Sequence, residues 1–239
     1  MTATDSIPSR PVSVVSLAGY EWRGIGMDPE SVEGIMAKRK SETRRIVKPQ
    51  PPEAAARAVV PMFEDVLLYL DITAEVVGSV KLPYGVPGTR LYVREAYRVV
   101  RWERSVASAA YVTVEYKDGS RGSYNLQADG KAYAALLARK SPHAWMPARY
   151  MPRWAARTFL TLDAYSFEPL SYMGDRAAAA EGIEYKPGEV HEPYVLLNRF
   201  RARWDALNEA RGFPFSANPW VWVIYFKRHD GEGFSREEK

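Results

Sequence analysis

The chain has 239 residues, of which 46% are apolar and 26% charged, as expected for a globular protein with a packed core. It contains no cysteine, which excludes disulfides and thiolate metal sites, and its three histidines are far apart in sequence, so we expect no metal and no cofactor. No apolar run approaches the about 18 residues of a membrane span, and the first ten residues lack a signal-peptide core. We therefore expect a cytoplasmic protein without a membrane partner.

The formal net charge is only +4, but the basic residues are concentrated in one stretch, which holds Lys38, Arg39, Lys40, Arg44, Arg45 and Lys48. Such a cluster favours contact with phosphate. Cations also suit a solvated helix end, where they complement the dipole. The same stretch carries the hydroxyl groups of Ser41 and Thr43, so it could bind a polyanion or attack an acyl group.

The first predicted helix begins at Asp28-Pro29-Glu30, which supplies a capping carboxylate, a proline for the first turn and an acid. An apolar stripe follows at helical spacing, and residues 38–40 suit the last turn. Prolines at 49, 51 and 52 then require an extended chain. Residues 40–43 are thus predicted at the junction between a helix and an extended segment.

Three strands are predicted farther along the chain. A Pro-Gly turn at residues 86–89 precedes a half-buried strand in which Leu91 and Val93 alternate with polar residues. A second strand covers residues 157–167. The third, Trp220 to Lys227, is nearly all aromatic or β-branched, which is typical of a central strand.

Two helices are predicted before the last strand. The first covers residues 175–181 and is stopped by Gly182. The second ends before Gly212, and its apolar stripe, interpreted as core rather than as a cofactor site, consists of Leu197, Phe200, Trp204 and Leu207.

Residues 53–82 and 102–145 are predicted to be insertions on a smaller core. The first segment could form a hairpin or a helix, and the second contains a strand at 111–116, an Asp-Gly turn and an alanine-rich stretch at 132–140. The polar tail is residues 230–239. We predict one domain over residues 1–239, of the α+β class, built as a small β-barrel with helices outside it.

Five motifs resemble the ASCH-domain family, in the enlarged version common in bacteriophages and prophages. They span most of the chain, in the order expected for that family: residues 39–45 (RKSETRR), 87–95 (PGTRLYVRE), 151–154 (MPRW), 180–183 (AEGI) and 218–223 (NPWVWV). The resemblance implies a PUA-like β-barrel with flanking helices. It also implies a link to RNA, because ASCH domains are similar to RNA-binding PUA domains and some members are regarded as RNA binders or nucleases.

A small bacterial member of that family is an amidohydrolase that removes the acetyl group from the exocyclic amine of acetylcytidine. Its site holds a lysine, a threonine three residues later and a distant glutamate. The resemblance therefore implies catalytic roles for Lys40, Thr43 and Glu181, the last matched by its place before the C-terminal helix and strand. Lys38 stands where the family usually has glycine.

These residue types suit amide hydrolysis. An acyl-enzyme route needs a nucleophile, which Thr43 could supply, and a base, which Lys40 could supply if burial and neighbouring cations depress its pKa. Glu181 could orient Lys40 or hold the cytosine amine. Ordinary structural roles stay open for all three: a solvated cation, a strand-entry threonine and a surface carboxylate.

Further residues are candidates for binding a substrate or nucleic acid through charge or base stacking, although Arg94 with Glu95 could equally be a sheet-edge ion pair. They are Arg39, Arg44, Arg45, Arg94, Glu95, Arg153, Trp154 and Trp220. The leading hypothesis is a protein that binds RNA or a modified nucleoside in a basic pocket. The alternatives are an amidohydrolase acting on acylated cytidine and a phage accessory or assembly protein.

Overall fold

The computed structural model describes residues 22–52, 55, 57–59, 66–104, 110–126, 135 and 143–229. The tail at 230–239 and the alanine-rich stretch at 132–140, except Ala135, lie outside the described residues. Within the described residues, no helix combines the length and the apolar character that crossing a membrane requires.

The described chain is α+β, as predicted. Its strands are β1 (Trp22–Gly26), β2 (Glu42–Ile46), β3 (Arg57–Val59), β4 (Val66–Leu70), β5 (Val76–Lys81), β6 (Arg90–Arg94), β7 (Tyr97–Arg104), β8 (Ala110–Tyr116), β9 (Arg121–Asn125), β10 (Phe159–Pro169) and β11 (Trp220–Arg228). Its helices are α1 (Pro29–Met36), α2 (Asp175–Ala180) and α3 (Val195–Asn208). Short 3₁₀ turns cover Ala148–Tyr150, Arg153–Ala155, Leu170–Tyr172, Glu209–Arg211 and Phe215–Ala217.

A five-stranded sheet with the order β1-β6-β10-β11-β2 forms the centre of the fold. β1 and β6 are parallel, and the other neighbouring pairs are antiparallel. The three strands predicted from sequence are present as β6, β10 and β11 and lie next to one another in this sheet. β11 is an interior strand, which confirms its predicted central position. β10 begins and ends two residues later than predicted.

β1 and β2 are the two edges of this sheet, and no ladder joins them among the described residues. Side-chain contacts connect the edges instead, because the Arg45 guanidinium of β2 donates to the Gly26 carbonyl of β1 and contacts the Met27 sulfur at 3.4 Å. The sheet is therefore curved enough for one arginine to reach across its opening.

Each face of the central sheet carries its own apolar cluster. One face includes Leu91, Leu160 and Trp222 and packs against the small sheet β3-β4-β5, through Leu67 and Tyr69 among others. The segment at 53–82, predicted to be an insertion, therefore contributes to the main core. The helices α2 and α3 cover the other face, on Val221 and Val223 of β11, so they lie outside the sheet as predicted.

A third sheet, β7-β8-β9, has a separate cluster around Tyr97, Val112 and Tyr116. The strand and the Asp-Gly turn predicted in the second insertion are confirmed as β8 and the turn at Gly119, whose φ is +82°. This sheet thus has its own apolar core within the described chain.

α1 begins as predicted, with Asp28 accepting a 2.8 Å hydrogen bond from the backbone N–H of Ser31. It ends at Met36, before the predicted last turn. Lys38 adopts a left-handed φ of +60°, and the N–H groups of Arg39 and Lys40 return to the Gly34 carbonyl at 2.8 and 3.1 Å. The chain leaves the helix through this tight turn, whose left-handed φ is one that glycine adopts without strain.

Candidate functional site

A cleft of about 510 Å³ lies along the outer edge of β2. Its walls come from the start of α1, from β2, from the end of β5 and the residues that follow, from Ile183 after α2, and from α3 with the turn beyond it. The lining residues are Asp28, Ser31, Thr43, Arg44, Arg45, Ile46, Lys48, Val80, Lys81, Pro83, Tyr84, Glu181, Ile183, Phe200, Arg203, Trp204, Leu207, Asn208, Arg211 and Trp222.

Lys40 and Glu181, two of the residues predicted to act together, form a buried ion pair. The Lys40 ammonium donates to the Glu181 carboxylate and, at 2.9 Å, to the Glu181 backbone carbonyl. The side chains are 2% and 7% exposed. Glu181 lines the cleft and Lys40 does not. The carboxylate therefore separates the amine from the space where a ligand would bind.

Two glycines make room for the Lys40 side chain. A Cβ atom at Gly34 or at Gly182 would come within 3.2 Å of the Lys40 Cβ. Gly182 also has a φ of +90°, a conformation that glycine adopts without strain. It ends α2 directly after Glu181, so the same residue positions the carboxylate and admits the lysine.

The pKa of Lys40 is lowered below its ordinary value of 10.5, chiefly because burial disfavours the charged amine. The Glu181 carboxylate opposes this shift, whereas the positive charges of Arg45 and Arg203 reinforce it. Lys40 is thus closer to the neutral state, in which it can accept a proton, than an exposed lysine is.

The edge position of β2 explains a second contact of Glu181. In the register with β11, Arg44 lies opposite Val223, and its backbone N–H points away from the sheet. The Glu181 carboxylate accepts a hydrogen bond from this N–H. One carboxylate therefore holds both Lys40 and an otherwise unpaired donor of the edge strand.

The Arg44 guanidinium lies among carboxylates and is not available as an exposed phosphate contact. It lies 2.7 Å from Glu42, 3.3 Å from Glu168 and 3.6 Å from Glu181, and its side chain is 3% exposed. Burial raises the pKa of Glu42, although Arg44 opposes the shift. The Arg44 Nε atom is buried without a hydrogen-bond partner among the described residues. Arg44 therefore acts as a rigid support for Glu181.

Thr43 supplies a hydroxyl group to the cleft. It is 3% exposed, lies opposite Ile224 in the register, and lines the same cleft as Glu181. The hydroxyl makes no hydrogen bond to any of the described residues. Its position leaves it available to a bound molecule, and it makes no direct hydrogen bond to Lys40.

Aromatic rings form the walls around these polar groups. Trp222 and Trp204 are nearly buried, at 3% and 5% exposure, while Tyr84 is half-buried. Phe200 and Trp204 belong to the stripe that the sequence predicts to be core; they pack in the core and line the cleft as well. Leu207, from the same stripe, is 53% exposed at the cleft. The cleft thus offers flat apolar surfaces beside hydrogen-bonding groups.

Comparison of the chain with protein-family models, curated proteins and solved structures finds no match.

The structure does not bring the other predicted binding residues to the cleft. Arg39 pairs with Glu33 and Glu184 on the surface, at 3.3 and 3.0 Å. Glu95 is buried in a two-pronged ion pair with Arg157, at 2.7 and 2.8 Å, rather than pairing with its neighbour Arg94.

Arg94 instead donates to the Arg149 carbonyl at 3.4 Å, and Arg153 lies over the Trp22 ring at 5.5 Å. The two predicted stacking tryptophans are also engaged elsewhere. Trp220 stacks on Phe167 with ring centroids 4.6 Å apart, and Trp154 packs against the cluster of the third sheet. Of the eight additional candidates, only Arg44 and Arg45 line the cleft.

Sequence reasoning missed Arg203 and Asp28 as members of the site. The Arg203 guanidinium donates to the Asp28 carboxylate and, at 3.0 Å, to the Ser31 hydroxyl, which ties α3 to the start of α1. The available signal was the position of Arg203 on α3, one residue before Trp204 and three after Phe200. The spacing placed it beside the apolar stripe, but nothing in the sequence indicated its partner.

Proposed function

We propose that this protein binds a nucleoside, either free or as an unpaired nucleotide of RNA, in the cleft beside β2. The observation that carries the proposal is the meeting of aromatic walls with buried hydrogen-bonding groups in one small cleft. Trp222 and Tyr84 can contact the face of a flat base, and Thr43 and Glu181 can bond to its polar edge. A volume of about 510 Å³ is within the usual range of small-molecule sites.

The charge of the cleft supports an anionic or strongly polar ligand. Six cationic side chains line it against two carboxylates, those of Asp28 and Glu181. An open cleft of this kind also favours ligand binding over the alternative of an assembly protein with a filled pocket.

The fold proposed for this function is a PUA-like barrel of the ASCH type. Its support is the curvature of the central sheet, whose edges Arg45 connects, and the arrangement of the resembling motifs. Residues 39–45 lead into and form β2, residues 180–183 end α2, and residues 218–223 enter β11. Two of these motifs, 39–45 and 180–183, meet at the Lys40–Glu181 pair.

Titration calorimetry with cytidine and N4-acetylcytidine tests the binding proposal. Leu207→Trp places a large ring at an exposed position of the cleft and should weaken binding at least about tenfold. Ile72→Trp adds the same ring at a position that is 92% exposed and outside the cleft, and should leave affinity unchanged. Equal affinities in both variants would place the ligand elsewhere.

Amide hydrolysis of an acylated cytidine is a second candidate function, favoured by the lowered pKa of Lys40 and by the Thr43 hydroxyl, which bonds to none of the described residues. In this reaction the Thr43 oxygen attacks the acyl carbon, and its proton passes to the Glu181–Lys40 pair. The bond between that carbon and the cytidine amine breaks, and the amine takes up the proton. Water then hydrolyses the acyl-threonine to release the acid.

Incubation with a panel of acylated cytidines, followed by chromatography, tests this second candidate. Thr43→Val keeps the shape of the side chain and removes the nucleophile, so product formation should cease. Thr43→Ser keeps a hydroxyl group and should retain part of the product formation. A wild-type protein that binds acetylcytidine without releasing cytidine is a binder and not a hydrolase.

A further inference from the structure

The cations of the cleft differ in whether a carboxylate already neutralises them. Arg44 is held by Glu42, Glu168 and Glu181, and Arg203 is held by Asp28 and, at 3.1 Å, by Glu30. These arginines are structural supports whose charge is already balanced. Within the basic stretch predicted to favour phosphate, Arg44 is therefore already neutralised, and the Arg45 guanidinium is bonded to the Gly26 carbonyl.

Lys48 and Arg211 line the cleft and pair with no carboxylate among the described residues. The Lys48 ammonium lies 5.0 Å from the centre of the Phe213 ring, and the Arg211 guanidinium donates to the Asn208 side-chain carbonyl at 3.1 Å. Phe213, which contacts Lys48, and Asn208, which contacts Arg211, belong to one turn, because the Phe213 N–H donates to the Asn208 backbone carbonyl at 3.1 Å. Both cations thus border the same short segment, residues 208–213.

The end of the cleft that holds Lys48 and Arg211 is more exposed to solvent than the end that holds Thr43 and Glu181. Lys48 and Arg211 are exposed, whereas Thr43, Arg44 and Glu181 are buried. A base bound against the buried groups would direct its sugar and any attached phosphate toward solvent. Exposed cations are suited to receive a phosphate there, because the phosphate remains partly hydrated while it gains charge-assisted hydrogen bonds.

We propose that Lys48 and Arg211 form a phosphate subsite, and that the ligand of the cleft is a nucleoside carrying a phosphate ester rather than a free nucleoside. The inference rests on the proposed nucleoside binding and adds the substrate class. The phosphate belongs either to a free nucleotide or to the backbone of an RNA chain, and both present the same chemistry to the two cations.

Calorimetric titration with cytidine, 5′-CMP, 3′-CMP and a cytidine dinucleotide tests the subsite. At least one phosphorylated ligand should bind about tenfold or more tightly than cytidine, as expected for a charge-assisted contact. A preference for a monophosphate indicates a free nucleotide, and a preference for the dinucleotide indicates an RNA chain. In Lys48→Ala/Arg211→Ala, the phosphorylated ligand should bind no more tightly than cytidine, so the preference for phosphate should disappear.

Arg201→Ala is the matched control, because Arg201 is an exposed arginine of α3 that lies over an aromatic ring, 4.7 Å from Phe215, but outside the cleft. It should keep the preference. If cytidine binds and no phosphorylated ligand binds more tightly, the subsite is refuted while the nucleoside cleft stands. If the double variant retains the full preference, Lys48 and Arg211 are not the subsite. If no nucleoside or nucleotide binds, both proposals fail.

Discussion

Lys40 and Glu181, 141 residues apart in sequence, meet as a buried ion pair in which the lysine bonds both the carboxylate and the backbone carbonyl of the glutamate. The pair joins the turn after α1 to the end of α2, and an adjacent bond from the Ser41 N–H to the Ala180 carbonyl, at 3.0 Å, strengthens the junction. Only the glutamate faces the cleft. The ion pair is therefore a structural link between the two segments, and its carboxylate is a charged group in the wall of the candidate site.

Removing one partner of this pair should destabilise the protein more than removing both. Glu181→Gln leaves the buried Lys40 without its counter-charge and should lower the free energy of unfolding by about 3–5 kcal/mol. Lys40→Met should lower the free energy of unfolding by less than Glu181→Gln does, because Arg44 still lies 3.6 Å from the Glu181 carboxylate. Urea unfolding of both single variants and the double variant measures the coupling. Strictly additive losses would mean that the two side chains do not interact.

Hydrolysis of an acylated cytidine should increase with pH through a midpoint below 10.5, the ordinary pKa of a lysine. Burial lowers the pKa of Lys40, so the neutral amine that can accept a proton forms at a lower pH than in an exposed lysine. The measurement is the pH dependence of kcat/KM. Lys40→Arg, which stays protonated throughout, should abolish the rate over the whole range. A rate independent of pH across the neutral and alkaline range would exclude Lys40 as the base.

Lys38→Gly should stabilise the protein. The left-handed φ of +60° costs a residue with a Cβ atom about 1 kcal/mol, and glycine relieves this strain. The gain is reduced by the greater freedom of glycine in the unfolded chain. Thermal unfolding should show a small rise in Tm. Lys38→Ala is the control: it removes the charge but keeps the Cβ atom, and should not raise Tm by the same amount.

Gly182→Ala should destabilise the protein by about 1–2 kcal/mol and should also impair the site. The added Cβ meets an unfavourable φ of +90° and comes within 3.2 Å of the Lys40 Cβ. Gly174→Ala, at the other end of α2, is the matched control, because its φ is −123° and no atom lies within 4 Å of the added carbon. Denaturant unfolding and nucleoside titration of both variants measure the effects. Equal stability would show that Gly182 is not required.

Local signals in the sequence account for much of the fold. The Asp28 cap, the Pro-Gly turn before β6, the glycine stop after α2 and the apolar character of β11 each specify a short segment through backbone preference and burial. These preferences depend on neighbours only a few residues away. The predicted end of α1 is wrong, because the three basic residues at 38–40 suit a last helical turn, whereas the chain already leaves the helix at Lys38.

The site was only partly predictable, because its members come from distant segments. Lys40, Thr43 and Glu181 could be grouped only through a family resemblance. In the structure Lys40 contacts Glu181, and Thr43 lines the same cleft as Glu181. The contact between Asp28 and Arg203 spans 175 residues and depends on how α3 packs against α1. No residue spacing encodes such a contact. For the same reason the sequence could not distinguish the neutralised Arg44 from Lys48, which pairs with no carboxylate in the part of the chain that the structure describes.

A crystal structure of the protein with N4-acetylcytidine, at a concentration well above its measured Kd, tests the central claim most directly. We expect the pyrimidine in the cleft beside β2, next to Trp222 or Tyr84, with its amide group within hydrogen-bond distance of Thr43 or Glu181. Density for the nucleoside at another surface, with the cleft empty, would contradict the account.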